Sequence, residues 1–122
     1  MRTKNFFASI RYAVRGITYV FRHEQNFRVQ VGVSLLTMLA SWIFSLTPAE
    51  RIVIVLLIVF ILVLELVNSA IEKFTDIVKP RMHDQVGLVK DIMAGTVFLS
   101  SAGAIILGCM IFIPHVIELF TT

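Results

Sequence analysis

Apolar residues fall in three long blocks, from about Val29 to Leu46, from Ile52 to Ile71 and from Ile92 to Ile113. The second is interrupted by Glu65 and Asn68, and the third carries no charge. Each reaches the length of about 17–25 residues that a helix needs to cross a bilayer. A soluble protein would rarely need such a length three times over. Residues 1–28 follow another rhythm. Phe6, Phe7, Ile10, Val14, Ile17 and Phe21 recur at steps of three and four, with Lys4, Arg11, Arg15, Thr18 and Arg22 on the other face. That pattern predicts an amphipathic helix lying in the headgroup layer. A cleavable signal peptide is not expected, because no convincing small-x-small site follows. A basic arm for nucleic acid is the rival reading. It has no need of a phenylalanine stripe, so no nucleic-acid partner is expected.

Helix ends follow from punctuation. Thr47-Pro48-Ala49-Glu50 has the form of a capping box with proline at the first helical position. Lys79-Pro80 is the next stop, since proline disfavours helix in the residue before it. About 31 residues at 1.5 Å each give roughly 46 Å, more than a hydrocarbon core of about 30 Å, so the turns carrying Glu72 and Asp76 must reach water. Asp84 can cap a further helix, expected to stop before Pro114. The expectation is one all-α membrane domain over 1–122. It has a surface helix over 1–28 and membrane helices over 29–46, 48–78 and 84–113.

Composition agrees with a chain solvated by lipid. Of 122 residues, 57% are hydrophobic and 16% charged, against about 45–50% and 25% in ordinary soluble domains. The single Cys109 allows no internal disulfide. A net charge of +3 suggests anionic partners. Six of the eleven basic residues precede Val29, four lie from Lys73 to Lys90, and only Arg51 stands at the opposite end. The positive-inside rule then predicts a cytoplasmic N-terminus, with the connection between the second and third membrane helices on the same side. Thr96, Ser100, Ala104 and Gly108 form a stripe of small residues, which permits close helix packing within the chain or between copies. Three helices give little interior to cover Glu65 and Asn68, so a homo-oligomer with sites between subunits is expected.

Candidate chemistry centres on Glu65, Asn68, Glu72 and Asp76, spaced three, four and four apart. They share roughly 80° of one helix face. Placing Glu65 inside the apolar block costs at least about 2.5–3.5 kcal/mol, and such carboxylates usually line a cavity or a proton path. The plainer reading is a protonated residue that binds helices together. His83, Asp84, Gly87, Lys90 and Asp91 share a broad face at the start of the last helix. That face suits a phosphate through lysine, or is simply a solvated helix start. Glu24 either pairs with Arg22 or Arg28 or joins the acidic face around a cation. Two carboxylates and phosphate oxygens are an ordinary shell for Mg²⁺. No P-loop, GxGxxG, CxxC, HExxH or GxSxG motif occurs.

The run Glu65-Leu-Val-Asn-Ser-Ala-Ile-Glu-Lys-Phe-Thr-Asp76 resembles the signature of the bacterial diacylglycerol kinase family, which includes undecaprenol kinases. His83 and Lys90-Asp91 fall at the family's spacing, and Tyr12, Gly16 and Glu24-Gln-Asn-Phe-Arg28 also fit. The resemblance implies a surface helix and three membrane helices assembled as a homotrimer in the bacterial plasma membrane, with a cytoplasmic active site. It implies an ATP-dependent kinase of a lipid alcohol, undecaprenol or diacylglycerol. Glu65 is then the general base, Glu24 and Glu72 hold Mg²⁺, and Asn68 and Asp76 support the site. Tyr12, Glu24, Glu72, His83, Lys90 and Asp91 contact the nucleotide, while Phe27, Arg28 and Gln30 join Glu65 at the lipid. The chain departs from the family at Asn5, where some members carry arginine, leaving Arg2 or Lys4 to take that place. Arg81 stands where an acidic residue is often found. The EQNFR run and the IFIPHV ending look closer to the undecaprenol branch. A small proton- or cation-conducting oligomer built on Glu65 is the alternative function.

Overall fold

The computed structural model describes residues 5–121, and all the regular secondary structure over them is α-helix. Four helices follow one another: α1 (Phe6–His23), α2 (Gln25–Ile43), α3 (Pro48–Val78) and α4 (His83–Thr121). Arg2 and Lys4 lie outside the described residues. Asn5 caps α1, its Oδ1 accepting from the Phe7 N–H at 2.9 Å. Such a cap satisfies one of the unpaired donors that open every helix.

The first helix, expected over 1–28, is shorter at its C-terminal end. It ends at His23, and the chain turns at Glu24, which has extended backbone and borders both α1 and α2. Arg28 closes the joint by donating from Nη1 to the carbonyls of Phe21 and Arg22, at 2.8 and 3.0 Å. Those are last-turn carbonyls without helical partners, and a guanidinium complements the dipole there. The first apolar block therefore belongs to a helix that opens at Gln25. Gln25, Asn26, Arg28 and Gln30 dilute its hydropathy. By length and composition, α3 and α4 are apolar enough to cross a membrane.

The turn between α2 and α3 is set by local chemistry. Ser45 adopts a left-handed φ of 54°, and the capping box forms in full, with Glu50 N–H on Thr47 Oγ1 and Thr47 N–H on Glu50 Oε1. Arg51 reaches back to the carbonyls of Ser41 and Leu46 and lies 3.9 Å from the Trp42 ring centroid. The backbone carbonyls and the aromatic face thus hold the one basic residue at this end.

Helix α4 corrects the expected stop at Pro114, continuing through it to Thr121. Proline removes one helical hydrogen bond and crowds the preceding turn. Tertiary contacts on both sides of it hold the helix in place. The Phe112 ring meets Phe44 edge-on at 6.2 Å, and His115 Nε2 lies 2.9 Å from Glu50 Oε1.

Helix α3 is the axis of the bundle and packs against α1, α2 and α4. An apolar cavity of about 500 Å³ lies where α2, α3 and α4 meet, with Ile54, Ile58, Ala104, Gly108 and Phe112 among its walls. Two members of the small-residue stripe therefore face the inside of this chain. Among the described residues the buried apolar core is only Val20, Phe27, Leu46, Ile54, Ile61 and Val86, while Leu35, Leu36, Phe98, Leu99 and Met110 are exposed. An apolar surface this continuous belongs in hydrocarbon or under another chain.

Candidate active site

Helix α3 carries the acidic face out of the apolar block. Glu65 is buried, Asn68 is half-buried, and Glu72 and Asp76 are exposed beyond Ile71. Thr75 is buried among them and donates to the Glu72 carbonyl at 2.9 Å. Helix α1 lies over this end of α3. Between them opens a cleft of about 790 Å³ lined by Tyr12, Arg15, Tyr19, Glu24, Glu72, Lys73 and Asp76, among others. Glu65 is not part of the cleft lining; it is buried on the same face of α3, within electrostatic reach of both Glu24 and Glu72.

Three carboxylates from two separate stretches of chain thus share one region. Glu24 gets there because the α1–α2 joint sets it beside α3. Neither Arg22 nor Arg28 pairs with it among the described residues. Arg28 is committed to the α1 carbonyls instead. Among the described residues no three His, Cys, Asp or Glu side chains close on a common point. A cation between Glu24 and Glu72 would take its remaining ligands from water and phosphate oxygens. Mg²⁺ favours that donor set, since it keeps several waters and binds through one or two carboxylates plus phosphate.

Other expected residues are placed unevenly. Tyr12 and Asp76 line the cleft. Lys90 joins it indirectly, its Nζ 3.5 Å from Asp76 Oδ1, with both side chains exposed. His83 and Asp91 are exposed on α4 outside the cleft lining, and Asn68 does not line it either. A Cβ at Gly87 would meet nothing within 4 Å, so packing does not demand glycine there. Of the expected lipid contacts, Phe27 is buried edge-on to Phe21, Arg28 closes the α1–α2 joint, and Gln30 faces the apolar cavity.

Two cleft residues escaped sequence reasoning. Lys73 donates from Nζ to the Tyr19 hydroxyl oxygen, bridging α3 to α1. The Tyr19 hydroxyl, with Asp76 and Glu24 nearby, holds the Lys73 ammonium above its ordinary pKa. The pattern along α3 gave no signal for Lys73, because its partner lies 54 positions away.

Long apolar helices with a mixed acidic and basic cleft at one end are the form of a helical membrane protein. Residues 11–112 match the family model for prokaryotic diacylglycerol kinase. A Synechocystis sp. diacylglycerol kinase is 30% identical over 94% of this chain, which spans 66% of that relative's length. The undecaprenol kinase of Bacillus subtilis is 33% identical, with 89% of each chain covered. The diacylglycerol kinase of Escherichia coli K12 is 26% identical over 85% of each. The chain belongs to the prokaryotic diacylglycerol kinase family, a family of lipid kinases.

Proposed function

We propose that this chain is an integral-membrane lipid kinase that transfers the γ-phosphoryl group of ATP to the hydroxyl of a membrane lipid alcohol. The observation that carries the reading is the convergence of Glu24 and Glu72 on one cleft, with Glu65 buried on the same face of α3 and within electrostatic reach of both. In this reading Glu65 takes the proton from the lipid hydroxyl as its oxygen bonds to the γ-phosphorus. The bond from that phosphorus to the β–γ bridging oxygen breaks, and ADP leaves. Glu24 and Glu72 hold Mg²⁺, which offsets phosphate charge when bound. Asn68 and Asp76 support the site, and Tyr12, His83, Lys90 and Asp91 contact the nucleotide. Phe27, Arg28 and Gln30 border the lipid. Phosphoryl transfer asks mainly for positioning and charge neutralisation, and a carboxylate at the apolar edge meets an alcohol anchored by its tails.

Undecaprenol is the favoured acceptor and diacylglycerol the second. Of the relatives described, the undecaprenol kinase matches at the higher identity. In this reading α2, α3 and α4 all cross the bacterial plasma membrane. The cleft is cytoplasmic, on the side rich in basic residues, and three copies assemble so that neighbours complete the site. The exposed apolar surface supports both the crossings and the assembly.

The test is phosphorylation by purified protein of undecaprenol and diacylglycerol presented in parallel with labelled ATP, with Glu65→Gln as control. The proposal expects ATP-dependent label in a lipid, greater with undecaprenol and lost in the control. Label greater with diacylglycerol overturns the substrate preference. Ion flux through liposomes without ATP, and no labelled lipid, overturns the kinase reading in favour of a conductor.

A further inference from the structure

Lys73 lies in the turn of α3 that leaves the apolar block, about 12 Å along the axis beyond Glu65. It lines the cleft together with Glu24, Glu72 and Asp76. Its ammonium has no carboxylate within ion-pair distance among the described residues and instead donates to the Tyr19 hydroxyl on α1. Tyr19 is itself held, stacked on His23 with centroids 4.1 Å apart and planes 20° from parallel. The His23 Nδ1 lies 2.9 Å from the Tyr19 carbonyl oxygen. Lys90 contrasts with this arrangement, since it lies outside the cleft lining and faces Asp76. A lysine side chain gives up much rotamer freedom when fixed. Here a second helix fixes it with its charge still available to an anion.

Resting on the kinase reading above, we propose that Lys73 is a phosphate-binding residue of the nucleotide site, with Tyr19 as its positioning residue. The ligand is the phosphate chain of a nucleoside triphosphate. A lipid hydroxyl at Glu65, nearly two turns before Glu72 on α3, sets the γ-phosphate toward the apolar block. The α- and β-phosphates then extend toward Lys73 at the polar end. An ammonium-to-phosphate hydrogen bond joins two opposite charges and is stronger than one from the ammonium to an uncharged oxygen, so the phosphate takes the ammonium with Tyr19 still beside it.

The test uses the full chain in lipid nanodiscs and three variants, Lys73→Met, Lys73→Arg and Tyr19→Phe. Initial rates give KM for ATP and for the lipid, and titration gives the Kd of a non-hydrolysable ATP analogue. Lys73→Met should raise both the ATP KM and the analogue Kd about tenfold, without a matching rise in the lipid KM. Lys73→Arg should recover most of the loss. Tyr19→Phe should raise the ATP KM about threefold, since the charge remains but its anchor is gone. Wild-type nucleotide constants in Lys73→Met, accompanied only by a lower melting temperature, would show a structural tie and overturn the inference. So would an effect confined to inhibition by the lipid phosphate product. A wild-type protein that binds the analogue but phosphorylates no lipid overturns the kinase reading alone. In that case loss of analogue binding in Lys73→Met still upholds the role of Lys73. A wild-type protein that neither binds nor phosphorylates overturns both.

Discussion

Glu24 and Glu72 line one cleft from opposite sides, the first at the joint between α1 and α2 and the second near the end of α3. Glu65 feels the charge of both. Carboxylates lining one cleft repel one another, and a cation between them would offset that repulsion.

Replacing Glu24 or Glu72 by Gln should therefore raise the Mg²⁺ concentration needed for half-maximal lipid phosphorylation, by roughly tenfold or more. The two substitutions should not be additive, because the residues share a site. Activity titrated against Mg²⁺ at fixed ATP checks this. A lower maximal rate with an unchanged Mg²⁺ midpoint would remove these residues from the metal site.

Glu65→Gln should lower kcat by about 10²–10⁴-fold, the usual contribution of a positioned general base. The melting temperature should not fall, because the neutral amide spares the bundle a buried carboxylate beside Glu24 and Glu72. Kinetics and thermal denaturation on one preparation separate the two effects. Retained activity would assign Glu65 to helix packing.

At the far end of the bundle, ahead of the apolar block, the Thr47 backbone N–H holds the Glu50 carboxyl below its ordinary pKa, and His115 adds to this. A carboxyl whose folded-state pKa is depressed contributes stability above its unfolded value. That contribution is lost as pH falls through the lower folded value. The melting temperature of the wild type should exceed that of Glu50→Gln at neutral pH. The gap should close as pH drops below the ordinary carboxylate range of about 4. A gap independent of pH would mean that the carboxylate charge is not what Thr47 and His115 stabilise.

Asn5→Ala should destabilise α1 by about 1 kcal/mol, the usual value of an N-cap. Amide exchange at Phe7 reads this directly, since its N–H is the one Asn5 receives. Asn5→Asp should restore protection. Equal exchange in all three proteins would show that the cap contributes nothing.

Much of this protein is a consequence of sequence acting locally. The capping box of Thr47 and Glu50 starts α3, and Lys79-Pro80 limits it, because proline chemistry and orphan N–H groups operate within a few residues. The acidic face of α3 was equally legible, since helical periodicity alone sets Glu65, Asn68, Glu72 and Asp76 on one side. Continuous apolar blocks likewise dictated long helices before any contact was known.

Only the tertiary structure decided the rest. The passage of α4 through Pro114 depends on Phe44 and Glu50, more than sixty positions away, whose contacts offset a local penalty. The break at Glu24 places that carboxylate beside α3 and turns Arg28 toward the α1 carbonyls. The grip of Tyr19 on Lys73 joins two helices whose separate patterns carry no trace of each other. The physical division is one of range. Periodicity and capping act over one or two turns, whereas a cleft forms where helices distant in sequence meet, and that meeting is set by how they pack.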